Sequence, residues 1–370
     1  MAEIDLTIYS ELGIVAMPGC EEFAQKVNDY IKNWRDDGKE SYSIPIACPR
    51  FGSGEAKGII KQSVRGKDLY IICDVFNYGI TYKMYGVTVP MSPDDHYQDL
   101  KRIISATNGH ARRITLIMPM LYEGRQHRRS TRESLDCAMA LQELINIGVK
   151  NIITFDAHDG RICNAIPTSS FDDVHPTYQM IKAIKKAVPD IELDRDHVAI
   201  VSPDEGGMGR CIYYSSVLGV ELGMFYKRRN YSIIVNGRNP IEAHEYLGKD
   251  IKGKDLIIVD DMISSGDSII DIAQKLKEKG AKRIFAFCSF GLFVEGFDNF
   301  DEAYEKGWID KVFTTNLVYA RPGLVGKPWY YRVDMTKYVA YIIDALNHDK
   351  SISDIINPIT KIKNLLGKTE

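Results

Sequence analysis

Two adjacent carboxylates, Asp260 and Asp261, follow the apolar run 256–259 and precede Ser264, Ser265, Gly266, Asp267 and Ser268. Carboxylates accept hydrogen bonds from vicinal sugar hydroxyls, directly or through Mg²⁺. Small residues ahead of a helix leave backbone N–H groups open to a phosphate at its positive end. Segment 259–268 therefore reads as a strand, an acidic turn and a helix start that bind a phosphorylated ribose; a plain turn with Ser and Asp caps is the bland alternative. A second constellation, 124–132, places four arginines within eight residues. Guanidinium forks match phosphate oxygens, so Arg125, Arg128, Arg129 and Arg132 suit a triphosphate, around which the arm (about 120–133) would order. A solvated basic helix start is disfavoured by the helix dipole. Shorter signals end other apolar runs: Asp156 with His158, Asp204 within Ser-Pro-Asp-Glu-Gly-Gly, and Lys227-Arg228-Arg229 after 222–226. A carboxylate or imidazole at a strand end suits Mg²⁺ or phosphate, and three cations suit charge developing on a phosphoryl group. Alone, each is equally well a cap or a solvated edge.

Such residues need a scaffold that brings strand ends together. Short β-rich runs recur at 69–73, 114–118, 152–155, 198–201, 256–259 and 284–287. Between them lie helical periods. In 268–279, Ile269, Ile272, Ala273 and Leu276 share one face before Gly280; in 133–147 an apolar side ends at Gly148. Continuously apolar strands alternating with amphipathic helices predict an α/β fold with mostly parallel sheets covered by helices on both faces. The chain also repeats itself. Arg65-Gly-Lys-Asp-Leu echoes Lys252-Gly-Lys-Asp-Leu, and Gly148-Val-Lys echoes Gly280-Ala-Lys, in the same order. These landmarks lie 82 residues apart in the first copy and 27 in the second, so the first copy carries the arm as extra chain. Duplication of one α/β domain is the favoured reading.

The 370 residues suit two cores rather than one. A composition 45% hydrophobic and 26% charged, with net charge −3 and mixed signs, offers no basic stripe for nucleic acid and no amphipathic segment for a membrane. The N-terminus lacks a secretory pattern, and no apolar run is long enough to span a bilayer. Seven scattered cysteines with no C-x-x-C argue against a disulfide framework or a cysteine zinc site. The expectation is a reduced, cytoplasmic protein.

In order along about residues 48 to 355, these elements resemble the ribose-phosphate pyrophosphokinase (phosphoribosyl pyrophosphate synthetase) family. Arg50-Phe-Gly-Ser-Gly-Glu55 with Val64-Arg-Gly66 looks like the family's adenine-contacting segment, and 125–129 like its catalytic arm. Asp156-x-His158, Ser202-Pro-Asp204, Lys227-Arg-Arg229 and Val259-Asp-Asp-Met-Ile263 look like its metal, ribose-side, transition-state and ribose-phosphate elements. The resemblance implies two tandem phosphoribosyltransferase-type domains. They are expected at 1–190, with the arm, and 191–345, with the ribose-phosphate loop 259–268, followed by a C-terminal helix and tail at 346–370. It implies transfer of a pyrophosphoryl group from Mg-ATP to the 1-hydroxyl of ribose 5-phosphate, with AMP leaving, in a homo-oligomer (dimer or hexamer). Carried over, Phe51, Ser53 and Glu55 contact adenine. Arg125, Gln126, Arg128 and His158 hold the triphosphate, and Lys227, Arg229 and Arg125 stabilise the transferring group. His158 and Asp204 touch the metal. Asp204, Asp260, Asp261 and the loop Ser264 to Ser268 hold the ribose phosphate. Such chemistry needs positioning and cations more than a covalent nucleophile.

The chain departs from the family at Ser53 and at His127, where an acid or amide and an Asp are usual, and it is longer before residue 50 and within 290–330. In the phosphate loop, usually D-T-G-G-T, Ser264 replaces a carboxylate and Asp267 a bare glycine. A carboxylate ~4 Å from a phosphate costs on the order of 1–4 kcal/mol. That motivates a variant reading in which a larger ribosyl acceptor such as ADP-ribose, whose phosphates are diesters, replaces ribose 5-phosphate. A non-catalytic regulatory homologue is a further alternative. A plain phosphoribosyltransferase would have no use for the basic arm.

Overall fold

The computed structural model describes residues 8–229 and 241–367. The chain runs β1 (Leu12–Ala16), α1 (Glu21–Arg35), the short strands β2 (Ile46–Ala47) and β3 (Ile59–Ile60), β4 (Asp68–Ile72), β5 (Thr81–Met84), β6 (Val87–Pro90), α2 (Pro93–Ala106), β7 (Arg113–Ile117), α3 (Asp136–Asn146), β8 (Asn151–Phe155) and β9 (Ser170–Val174). It continues through α4 (Thr177–Ala187), β10 (Val198–Ser202), α5 (Met208–Leu218), β11 (Glu221–Arg229), β12 (Ile241–Leu247), β13 (Asp255–Ile263), α6 (Asp267–Glu278), β14 (Arg283–Gly291), α7 (Asp298–Glu305), β15 (Lys311–Thr315) and β16 (Tyr330–Val333). Three helices follow: α8 (Thr336–Asn347), α9 (Ser353–Ile356) and α10 (Ile359–Leu365).

Two compact units result. One holds the chain up to His175 with Asn316–Tyr319 and Asp334–Asn357; the other holds Pro176–Thr315, Ala320–Val333 and the chain from Pro358. The boundary falls at 175/176 rather than near 190, because α4 packs on β15, β16 and α10. The C-terminal region is also divided rather than a single tail: α8 packs on α1, where Arg35 donates to Asp344, while α10 stays with the second unit.

The first unit's main sheet has order β1-β4-β7-β8-β9 and the second's β12-β11-β10-β13-β14-β15-β16. All neighbours are parallel except β11 and β12. Every residue of β4 and of β10 is buried, which requires cover on both faces and accounts for the apolar runs 69–72 and 198–201 within them. This is the expected α/β class.

At the start of each central strand sits the aspartate of the Gly-Lys-Asp echo. Asp68 is fully buried and takes both Nε (2.7 Å) and an Nη (2.6 Å) of Arg113, its register partner on β7. Asp255 on β13 takes Nε (3.0 Å) and an Nη (2.6 Å) of Arg283, its register partner on β14. The same fork in the same place supports duplication, but it changes the alignment. With β4 matched to β13, the counterpart of β14 is β7, not β8, so the Gly-x-Lys echo pairs strands that are not equivalent. The extra length of the first copy shrinks with it, to 45 residues from Asp68 to Arg113 against 28 from Asp255 to Arg283, and it holds the β5–β6 hairpin rather than the arm; such glycine turns precede many parallel strands.

Counting on from the forks, Cys73 and Asp74 occupy the positions of Asp260 and Asp261. Asp74 is buried and accepts from the N–H groups of Phe76 (3.0 Å) and Tyr319 (2.7 Å). Burial pushes its carboxyl up to about 6 against the pull of those two bonds. An acid held protonated in the folded state stabilises below its unfolded pKa, and that contribution is lost as pH rises from about 4 to 6. Urea denaturation at stepped pH should show a fall on the order of 2–3 kcal/mol across this window. Asp74→Asn should flatten it, whatever the absolute stability; an unchanged slope would place the titration elsewhere.

Candidate active site

In a parallel sheet the loops leaving the carboxyl ends of the strands share one edge, where α/β folds bind ligands. In the second unit that edge receives Asp204 after β10, the acid pair near the end of β13, and the loop into α6. The acids do not form a turn. β13 continues through them to Ile263, with Asp260 in register with Cys288 and Met262 with Phe290. Asp261 is buried and Asp260 half-buried, and the Asp260 carboxylate accepts from the Asp261 N–H at 2.9 Å. Burial and the neighbouring Asp261 hold the Asp260 carboxyl well above the carboxylate range, opposed by the Arg210 guanidinium. A ligand that supplies hydroxyl donors or a cation relieves that crowding. Asp204 accepts from the Gly207 N–H at 3.2 Å, and its own carbonyl accepts from Ser202 Oγ at 2.7 Å.

The strand then turns sharply. Gly266 adopts φ +95° ahead of α6, and a Cβ there would lie 2.2 Å from the Phe300 ring, so only glycine fits. Among the described residues the N–H groups of Ser265 and Gly266 have no partner, which leaves them available to an anion beside the positive end of α6. Asp267 is exposed at the first helical position, where an acid suits the dipole, and its carboxylate accepts from the Asn299 amide of α7 at 3.2 Å. Ser268 is exposed on the same turn.

The first unit carries the nucleotide-side candidates. Arg50 is nearly buried, held by Asp99 at 2.8 Å and over the Tyr82 ring at 4.7 Å, and so anchors its loop. Beyond it the chain folds back: Phe51 N–H donates to the Glu55 carbonyl (2.7 Å) and Gly54 N–H to that of Phe51 (2.9 Å). Phe51 is thereby left 54% exposed, and Ser53 Oγ donates to the Glu55 carboxylate at 2.8 Å. The arm leaves β7 through a turn closed by Gly124 and Gln126, and α3 begins only at Asp136, not at 133. Arg125, Arg128, Arg129 and Arg132 are exposed, and among the described residues none has a carboxylate within ion-pair distance. His127, beside Asp159 at 3.3 Å and 5.4 Å ring to ring from His158, ties the arm to the loop after β8. Arg161 forks onto Asp159 and, with His127, holds that carboxyl down at about 2. His158 itself is exposed.

Lys227 and Arg229 lie on β11, which runs on through them rather than ending at 226; their side chains lie outside the described residues. His158 and Asp204 are each one donor at a strand end. Each fits a divalent cation whose remaining positions are filled by phosphate oxygens and water. Among the described residues the one cluster of three metal-type side chains is Glu192, Asp194 and His197, ahead of β10 and away from Asp204. Sequence reasoning missed Arg210, whose relevance comes from a neighbour far along the chain.

The acid-bearing strand, glycine turn and helix N-terminus of the second unit, with the matching parallel strand order of the first, define a protein with two phosphoribosyltransferase-type domains. Residues 12–148 match the N-terminal domain of ribose phosphate pyrophosphokinase, and residues 170–315 match the phosphoribosyl transferase domain. A ribose-phosphate pyrophosphokinase of Vibrio parahaemolyticus is 26% identical over 340 residues, covering 91% of this chain and 96% of that one. One from Campylobacter jejuni is 28% identical over 346 residues, covering 90% and 95%. The crystal structure of phosphoribosylpyrophosphate synthetase from Mycobacterium smegmatis shares the fold, with TM-score 0.73, 21% identity and coverage of 92% and 99%. The chain belongs to the ribose-phosphate pyrophosphokinase family, as a divergent member.

Gly266→Ala should lower stability by about 2–4 kcal/mol through strain and the clash with Phe300. It should raise KM for ribose 5-phosphate at least tenfold while leaving ATP affinity within twofold. A neutral substitution in denaturation and kinetics would show that the turn is not needed in this form.

Proposed function

We propose that this chain transfers the β,γ-diphosphoryl group of Mg-ATP to the 1-hydroxyl of ribose 5-phosphate, giving phosphoribosyl pyrophosphate and AMP. The observation that carries the reading is the acid pair of β13 leading directly into the Gly266 turn and α6. Asp260 and Asp261 hold the ribose hydroxyls, and the N–H groups of Ser265 and Gly266, with the hydroxyls of Ser264 and Ser268, hold the 5-phosphate. The oxygen of the 1-hydroxyl bonds to the β-phosphorus and its proton passes to water, as the bond from that phosphorus to the α,β-bridging oxygen breaks and AMP leaves. Phe51, Ser53 and Glu55 receive the adenine, and Arg125, Gln126, Arg128 and His158 receive the triphosphate. Lys227, Arg229 and Arg125 meet the charge that develops on the transferring group. Mg²⁺, when bound, offsets triphosphate charge; His158 and Asp204 are the side chains that would touch it. The reading includes a cytoplasmic homo-oligomer. Among the described residues no helix is long and apolar enough to cross a membrane.

The ground for a larger acceptor is weakened by Asp267, whose carboxylate is engaged by Asn299. AMP release from Mg-ATP should accordingly be rapid with ribose 5-phosphate and at least a hundredfold slower with ADP-ribose. Asp267→Gly should leave KM for ribose 5-phosphate within twofold. Preference for ADP-ribose, or tenfold tightening in the variant, would show that the charge faces the phosphate. No AMP with either acceptor would leave a non-catalytic homologue.

A further inference from the structure

The β5–β6 hairpin of the first unit carries an aromatic side chain that its own fold does not need. β5 and β6 are joined by Tyr85 and Gly86 alone, with Met84 paired to Val87. Both joining residues have positive φ, +49° at Tyr85 and +80° at Gly86, as a two-residue turn between twisted strands requires. Asn or Asp suits the first of these positions; a bulky ring in the left-handed region is strained. Tyr85 is also 82% exposed, so packing does not repay the strain. Strain retained at a solvent-facing aromatic points toward a ligand.

The hairpin is locked to the loop that presents Phe51. Tyr85 N–H donates to the Gly52 carbonyl at 2.8 Å. Gly54, at φ +95°, lies so close to the hairpin that a Cβ would be 2.9 Å from Met84 Sδ. On the same hairpin, Tyr82 stacks under Arg50 and its hydroxyl donates to Asp95 of α2 at 3.3 Å. Loop and hairpin thus form one braced piece, with two exposed aromatic rings on segments joined by a backbone hydrogen bond one residue from Phe51.

We propose that Tyr85 is a second base-contacting residue, forming with Phe51 an aromatic clamp on the nucleobase of the diphosphoryl donor. The inference rests on the reading that Phe51 receives adenine. A planar heteroaromatic ring gains from stacking on such side chains, and the gain belongs to the base rather than to the phosphates.

The test uses the full-length protein and calorimetric titration with α,β-methylene-ATP, which cannot transfer its diphosphoryl group, and with tripolyphosphate, which has no base. Tyr85→Asn removes the ring with a residue that favours the turn, so folding is retained. It should weaken α,β-methylene-ATP about tenfold and leave tripolyphosphate unchanged, while Tyr85→Phe stays within twofold of wild type. If Tyr85→Asn binds the nucleotide normally while Phe51→Ala does not, the clamp is wrong and the base site stands. If both variants bind normally, the base site itself is misplaced and the clamp falls with it. Equal weakening of nucleotide and tripolyphosphate by Tyr85→Asn would make the hairpin a support for the loop rather than a contact, and would also overturn the proposal.

Discussion

Each sheet is registered by one buried ion pair. Asp68 with Arg113 and Asp255 with Arg283 join the first residues of neighbouring central strands through two nitrogens each. Removing one partner of such a pair strands a buried charge, at a cost on the order of 3–5 kcal/mol. In β strands a slip of one residue exchanges the two faces. Five residues beyond Asp255 lies Asp260, so the fork that starts β13 also decides where the acid pair ends up. In the first unit Asp68 additionally accepts from Asn347 of α8 at 2.9 Å, so the same charge ties the last long helix to the sheet.

The matched forks show how duplicated strand ends have diverged. The position of the acid pair in β13 is taken in β4 by Cys73 and Asp74, and Asp74 is committed to the backbone of Phe76 and Tyr319. The arm leaves β7 and the His158 loop leaves β8, while their counterparts β14 and β15 lead into Leu292 and Asn316. Asn316 is spent on Asp334 and the Met335 N–H. Each sheet elaborates a different subset of its carboxyl-end loops, the first the arginine arm and the His158 loop, the second the acid pair and the Gly266 turn.

Much of this was legible in the sequence. Strands buried on both faces must be continuously apolar, which is why 69–73, 152–155 and 198–201 stood out. Gly266 and the acids were legible because few residues permit a tight turn or hold sugar hydroxyls. Other features depend on partners distant in the chain. Asp267 looked repulsive because Asn299 lies 32 residues away, and α8 could not be assigned to the first unit without seeing Arg35 against Asp344. The second repeat was misaligned because a glycine turn before a strand is local chemistry, whereas the Asp–Arg fork is a tertiary contact. The β5–β6 hairpin was missed because its strands, although Tyr82 and Met84 alternate on one and Val87 and Val89 on the other, are only four residues long and largely exposed, and Tyr85 stands where Asn or Asp usually marks such a turn.

The central claim is that phosphorus moves as an intact diphosphoryl group onto the sugar's 1-hydroxyl. ³¹P NMR of the full-length protein with Mg-ATP and ribose 5-phosphate tests it directly. The account predicts the AMP resonance together with two mutually coupled resonances of a diphosphate attached to the sugar. ADP with a single new phosphate on the sugar, or no turnover at all, would contradict it.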